Sequence, residues 1–319
     1  MPSLLRRSVW LVLFGVFFFL VVGVLVSWAP DKPVDALRAR WAPPPSRFMQ
    51  VEGMLVHLRD EGPADDPLPL VLLHGTSDSL HTWDGWAAVL SRQRRVIRFD
   101  LPGFGLTGPE PQNDYSIARY VRFVNAVLDQ LGVPRCVLAG NSLGGQIALA
   151  TAYASPQRVQ KLVLVDAGGY AFTPTEVPLG FRLALSPALR GLFEYLLPRG
   201  LVLASVRNVY GDPSKVTTEL VDRYYDMALR AGNRKALVIR MDAVAADDPK
   251  HIQALAMPTL ILWGGRDRLI PPEWGRQFAQ DIKNATLVEF EELGHVPHQE
   301  DPWRTVVVLQ RFLGGQWAN

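Results

Sequence analysis

The sequence predicts an α/β protein: a mostly parallel eight-stranded sheet with helices on both faces, a helical insertion, and one hydrophobic helix ahead of it. Three observations carry that prediction. From residue 47 onward, short apolar runs alternate with stretches of helical periodicity, as when strands buried on both faces are joined by crossover helices. A tight turn, Gly140-Asn141-Ser142-Leu143-Gly144, stands where one apolar run gives way to a helix. The chain also begins with a charge-free apolar stretch far too long for a strand.

That stretch, residues 9–29, holds 21 residues without a charge. At 1.5 Å rise per residue they span roughly 31 Å, close to the bilayer core. Trp10 and Trp28 mark its ends, and Arg6 and Arg7 precede it. Aromatic belts and a basic cytoplasmic flank predict a transmembrane anchor over residues 1–29. The catalytic part then lies on the periplasmic side of a bacterial inner membrane. Ser27-Trp28-Ala29 loosely resembles a signal-peptide cleavage site, but signal h-regions run only ~7–15 residues. Gly15 and Gly23 share roughly one face, which permits close approach of a second helix and a homodimer through the anchor. Residues 30–46 read as a short tether. A helix over 31–41 places Val34, Leu37 and Trp41 on one face suited to a membrane interface, and Pro43-Pro44-Pro45 forms a stiff spacer.

In the core, strands are expected at 48–51 and 54–59, paired around Glu52-Gly53. Others follow at 70–73, 96–99, 136–139, 162–165, 259–262 and 286–290, with helices over 83–91, 117–131 and after the Ser142 turn. Between residues 168 and 251 no strand pattern occurs. The division is therefore a core of 47–168 and 252–319 and a helical cap of 169–251. At 48% hydrophobic and 20% charged, the chain has enough apolar mass for one large domain with an insertion. Lys+Arg 33 against Asp+Glu 31 leaves a net charge of +2, which excludes a nucleic-acid footprint. The single cysteine, Cys136, sits in an apolar run and reads as a small buried hydrophobe. No Cys/His cluster has metal-ligand spacing, so neither metal nor cofactor is expected.

The turn at Ser142 carries the chemistry. Glycines at 140 and 144 remove Cβ atoms that would clash in so sharp a strand-to-helix turn. The new helix points free N–H groups and its positive dipole end toward the serine. Upstream lie His74-Gly75-Thr76 and Asp100-Leu101-Pro102-Gly103-Phe104-Gly105; downstream lie Trp263-Gly264-Gly265-Arg266-Asp267 and Gly294-His295-Val296-Pro297. Five such motifs in this order resemble the α/β-hydrolase superfamily, over residues 47–314. The resemblance implies a Ser142–His295–Asp267 triad in the chain order that this fold uses. It also implies an oxyanion hole from the N–H groups of Thr76 and Leu143. His295 would take the proton of Ser142 and return it to the leaving group, with Asp267 fixing the imidazole tautomer. One oxyanion donor is worth ~3–4 kcal/mol in other hydrolases.

Competing residues are few. Asp166 also ends a strand, where some relatives keep their acid. His298 lacks the preceding glycine, His74 reads as a loop-ordering residue, and His57, His81 and His251 read as packing. Serine at the elbow departs from the dehalogenase and epoxide-hydrolase branches. The sequence is similar to bacterial membrane-anchored serine esterases, lipases and phospholipases A. Gly140 to Gly145 also resembles the C–C hydrolases of meta-cleavage products, but that branch carries Arg where this chain has Gly265.

In the cap, 13 of the 25 residues from 179 to 203 are Leu, Phe, Tyr or Val. Phe181, Leu185, Leu189, Leu192 and Leu196 make one helical stripe, while Leu183, Tyr195, Leu197 and Leu201 fall off it. An element apolar on two sides packs on the core and also lines an acyl pocket or meets lipid. The expected function is thus a membrane-anchored serine ester hydrolase of lipid-like acyl esters, (lyso)phospholipids included. A C–C hydrolase and a non-catalytic binding protein of the same fold are the alternatives.

Overall fold

Eight strands form a single sheet in the order β1-β2-β4-β3-β5-β6-β7-β8. They are β1 (Arg47–Val51), β2 (Met54–Glu61), β3 (Leu70–Leu73), β4 (Val96–Phe99), β5 (Cys136–Asn141), β6 (Val159–Val165), β7 (Thr259–Gly264) and β8 (Ala285–Phe290). Only β2 runs antiparallel to its neighbours; every other pair is parallel. The structure, a computed structural model, describes residues 2–171, 186, 191, 194–243 and 245–315. It leaves out the side chains of residues 2–9, 12 and 20 as well.

The period-2 geometry of a strand sends alternate residues to opposite faces. Val71 and Leu73 of β3 enter a core layer with Phe123, Val127 and Leu128 of one helix, Ile147 of a second and Phe278 of a third. Leu70 and Leu72 enter the opposite layer with Trp83, Trp86, Val306, Leu309 and Phe312. Cys136 is fully buried in the first layer, and burial pushes its thiol up to about 12. The hairpin turn Glu52-Gly53 has φ of 47° and 82°, the left-handed pair that a two-residue connection requires.

The helices are α1 (Pro2–Ser27), α2 (Val34–Trp41), α3 (Asp84–Leu90), α4 (Ile117–Gln130), α5 (Leu143–Ala154), α6 (Arg199–Val209), α7 (Thr218–Leu229), α8 (Asn233–Asp242), α9 (Pro249–Gln253), α10 (Pro272–Asp281), α11 (Pro297–Glu300) and α12 (Pro302–Leu313). The regular elements described in the insertion are the helices α6 to α9 and a 3-10 turn at Pro213–Lys215. The expected stripe through Phe181, Leu185, Leu189 and Leu192, with Leu183 beside it, lies outside the described residues.

Two expectations about the N-terminus need correction. No helix among the described residues is long and apolar enough to cross a membrane, so the span expected over residues 9–29 is not found there. The helix stops at Ser27, two residues before the expected end. Those side chains that are described from Trp10 to Val26 include an exposed apolar series.

The second correction concerns residues 28–46, which are a docked strap rather than a free tether. Trp28 pairs antiparallel with Leu196. The Ala29 N–H donates to the Tyr195 carbonyl at 2.9 Å, and the Leu197 N–H to that of Ser27 at 2.8 Å. Asp31 accepts from Arg234 at 2.6 Å and from the Gly232 N–H at 2.8 Å. Asp226 accepts from Lys32 and from the Trp41 indole, both at 2.8 Å. Trp41, expected at a membrane interface, is buried with Leu37 against Leu106 and Met227. Its indole N–H has an internal acceptor, and that removes the reason for an amphipathic ring to seek the interface. Beyond it, Ser46 Oγ meets His57 Nε2 at 2.9 Å, and His57 Nδ1 meets Asp100 Oδ2 at 2.7 Å. His57 is thus half of a fully buried hydrogen-bonded couple with Asp100 rather than simple packing.

Candidate active site

The C-terminal ends of β3, β5, β7 and β8 converge on one edge of the sheet, where open α/β sheets hold their ligands. Ser142 follows β5 with φ 56° and ψ −118° and opens α5. A non-glycine residue in that region is strained, and such strain clusters at functional sites. The turn is closed from both sides. A Cβ at Gly140 would lie 2.0 Å from the Gly144 carbonyl oxygen, and one at Gly144 would lie 2.3 Å from that of Leu73. A Cβ at Gly75 would come within 3.1 Å of the Ser142 Cβ, so the loop after β3 lies directly against the serine. The Ser142 hydroxyl is partly exposed and has no hydrogen-bond partner among the described residues. It does not contact His295 here; such bonds often form only with substrate present.

Asp267 and His295 do meet. His295 Nδ1 stands 2.7 Å from Asp267 Oδ2, and both residues are buried. The other Asp267 oxygen, Oδ1, accepts the N–H groups of Leu269 at 2.7 Å and Ile270 at 3.0 Å. With both oxygens engaged, Asp267 is held in place, and the imidazole is left with Nε2 free among the described residues. The backbone of His295 is pinned as well. Its N–H donates to Val209 of the cap at 2.8 Å, and its carbonyl accepts the Asn141 amide at 3.0 Å. The Thr76 and Leu143 N–H groups find no protein acceptor among the described residues, which leaves both available for an oxyanion.

The remaining histidines fall outside this arrangement. His74 accepts the Leu101 N–H on Nε2 at 2.9 Å and faces the Gly75 carbonyl with Nδ1 at 2.8 Å, ordering the loop below the serine as expected. His298 is stacked on Trp83 at 4.0 Å and holds Thr82 Oγ1 at 2.9 Å. Complete burial drives its pKa well below the usual range, which keeps it neutral. His81 is likewise lowered, to about 3, first by burial and then by the Arg223 charge. His251 packs its ring on Tyr153 at 4.6 Å.

Sequence reasoning overlooked Glu300, whose carboxylate gathers the N–H groups of Gly211, Asp212 and Gly294 at 2.8–2.9 Å. It ties the cap to the loop that carries His295. A lone buried glutamate after a proline gives no local signal, because its three partners lie elsewhere in the chain. Asp166, Asp267 and His295 place ligand atoms within 4.8 Å of one another, the arrangement among the described residues that could hold a cation. A cation there would compete for the Asp267–His295 bond.

Comparison with known proteins agrees with this geometry. The family model described as alpha/beta hydrolase fold matches residues 69–302. The chain belongs to that family. This α/β-hydrolase is 32% identical to the 2-hydroxy-6-oxo-2,4-heptadienoate hydrolase of Pseudomonas putida, over 85% of this chain and 96% of that one. Among solved structures it is similar to a meta-cleavage product hydrolase from Pseudomonas fluorescens, with TM-score 0.74, 25% identity, and coverage of 85% and 98%. It is similar as well to a membrane phospholipase A described as a bacterial virulence factor, with TM-score 0.72, 25% identity, and coverage of 100% of both chains.

Proposed function

We propose that this hydrolase is a membrane-anchored serine esterase that cleaves lipid-like acyl esters, (lyso)phospholipids among them, through Ser142, His295 and Asp267. The observation that carries the reading is the full-length match to the membrane phospholipase A. That match takes in α1 and the strap, whereas the meta-cleavage relatives cover about 85% of the chain. The backbone of α1 is one helix of 26 residues, roughly 39 Å long. Its Phe14, Phe17, Phe18 and Phe19 are exposed, and a lipid phase would cover them. Arg6 and Arg7 support a cytoplasmic N-terminus, with the hydrolase then on the periplasmic face of a bacterial inner membrane. Gly15 and Gly23 face open space and leave room for a second copy of the helix.

Ester hydrolysis would begin with attack of the Ser142 oxygen on the acyl carbonyl while His295 Nε2 takes the proton. The tetrahedral oxyanion would sit between the Thr76 and Leu143 N–H groups. Collapse expels the alcohol, protonated by His295, and water then frees the acid from the acyl-enzyme. Beside the oxyanion loop a small cavity is lined on one side by Phe104, Met227, Ala228 and Leu237 and on the other by Ser77, Asp78, Asn233 and Arg234; we read its apolar side as the place where the first carbons of an acyl chain would enter. Esters of medium or long chains are therefore expected to show higher kcat/KM than acetate, each buried methylene contributing ~0.8 kcal/mol. A series of p-nitrophenyl esters reads this directly, and a monotonic preference for acetate would refute the lipid reading.

The relatives' names favour C–C hydrolysis as the second reading. Against it stands Gly265, where a Cβ would lie 2.7 Å from Glu291 Cα, so the arginine of that branch has no place there. A dienoic meta-cleavage substrate assayed beside the esters separates the two. For the orientation, protease added to spheroplasts is expected to digest the domain; full protection would rule out a periplasmic placement.

A further inference from the structure

Asp166 lies directly behind the acid of the site and is used by none of the steps above. It follows β6 with no exposed surface. One of its oxygens, Oδ1, accepts the Gly264 N–H at 2.9 Å. The other, Oδ2, is sealed from solvent and finds no donor, and the residue lies in the cluster with Asp267 and His295 whose ligand atoms fall within 4.8 Å of one another. Two carboxylates so close cannot both carry charge away from water. An oxygen that has only another carboxylate for a neighbour is satisfied in one way: it bears a proton and donates it.

Asp267 is the better seat for the single negative charge. It receives two backbone N–H bonds and the imidazole, against one N–H for Asp166. We propose that Asp166 is a neutral positioning residue whose Oδ2–H donates to the Asp267 carboxylate and so holds that group toward His295. The proposal rests on the Ser142–His295–Asp267 reading and extends it. The charged and titratable groups facing Asp166 are Asp267 from the loop after β7, and His295 and Glu300 from the loop after β8 and α11. Burial, followed by the Asp267 charge, raises the Asp166 carboxyl well above the usual range, in keeping with a retained proton. The backbone supports the same assignment: Asp166 has φ 43°, a left-handed conformation that Asp and Asn adopt more readily than other non-glycine residues.

The test compares Asp166→Asn and Asp166→Val in the full-length protein in detergent micelles, with p-nitrophenyl butyrate. Asparagine keeps a neutral side chain with an oxygen that can accept the Gly264 N–H and an NH₂ group that can donate to Asp267. Asp166→Asn is expected to retain kcat within about threefold and to leave the acid limb of kcat/KM against pH unmoved. Asp166→Val, without the donor, is expected to lose about tenfold in kcat at little change in KM. Independently of turnover, difference infrared spectroscopy should show the carbonyl stretch of a protonated carboxyl in wild type and in Ser142→Ala, and its loss in Asp166→Asn. The idea falls if Asp166→Asn is as damaging as Asp267→Asn, or moves the acid limb down by about one unit, as removal of a real negative charge would. Wild-type kinetics in Asp166→Val would overturn it too. If Asp166→Val fails to fold, Asp166→Asn and the infrared band still decide. Because the band is read without substrate, its absence refutes the proposal even where the esterase reading stands.

Discussion

Ser142→Ala is expected to lower kcat/KM for ester hydrolysis by at least about 10³-fold while leaving the fold intact. The substitution removes one oxygen, and that oxygen has no hydrogen bond among the described residues to lose. Circular dichroism and the unfolding midpoint should therefore match wild type. His295→Ala and Asp267→Asn should be nearly as severe, and a double variant little worse than either single one, because the three residues act as a unit. Labelling by a fluorophosphonate makes the assignment sharper. Ser46 joins His57 and Asp100 in the same bonding order as a catalytic triad, at 2.9 and 2.7 Å. Its hydroxyl also accepts Arg59 Nε at 2.9 Å, which draws electron density away from it, and His57 has no exposed surface. Wild type should thus label at Ser142, and Ser142→Ala should not label. Residual activity above about a hundredth, or label on Ser46, would refute the assignment.

Gly140→Ala is expected to abolish the folded protein. Its Cβ would meet the Gly144 carbonyl oxygen at 2.0 Å, that carbonyl carbon at 2.2 Å and the Gly145 nitrogen at 2.6 Å. All three are backbone atoms at the start of α5, so no side chain can swing aside. Relief requires moving the helix away from β5, which lies at the centre of the sheet between β3 and β6. A loss above about 4 kcal/mol is the expected scale, against a total stability of only ~5–15 kcal/mol. Gly53→Ala is the control: nothing lies within 4 Å of its Cβ, and only the positive φ is penalised, by about 1–2 kcal/mol. Folded yield and unfolding midpoints of the two variants compare them. A Gly140→Ala protein with a near-normal midpoint would mean that the turn is looser than its geometry indicates.

What was legible in the sequence is what is written locally. The eight strands show as apolar runs, and the turn at Ser142 shows as glycines flanking a serine. Asp267 and His295 follow strands at positions that the family motif marks. Boundaries moved where polarity hid a strand: β6 begins at Val159 rather than at 162 because Gln160 and Lys161 occupy its half-buried start. What was not legible depends on partners far away in sequence. Trp41 finds Asp226 at a separation of 185 residues, and no periodicity within 30–46 announces that acceptor. His57 looked like packing because Asp100 is joined to it only by the pairing of β2 with β4. Asp166 looked like a rival to Asp267; its place behind that residue is set by the register of β6 against β7.

The strap has a practical meaning for how this enzyme is handled. Cutting the chain after the Pro-rich segment is an obvious route to a water-soluble preparation. It would strip the cover from Leu106 and Met227 and leave Asp226, a buried carboxylate, without Lys32 and Trp41. Met227 and Arg234 also line the cavity beside the loop after β3, so the loss would reach that cavity as well. A shortened enzyme is therefore a different catalyst, and its rate constants belong to a cap that has lost its floor.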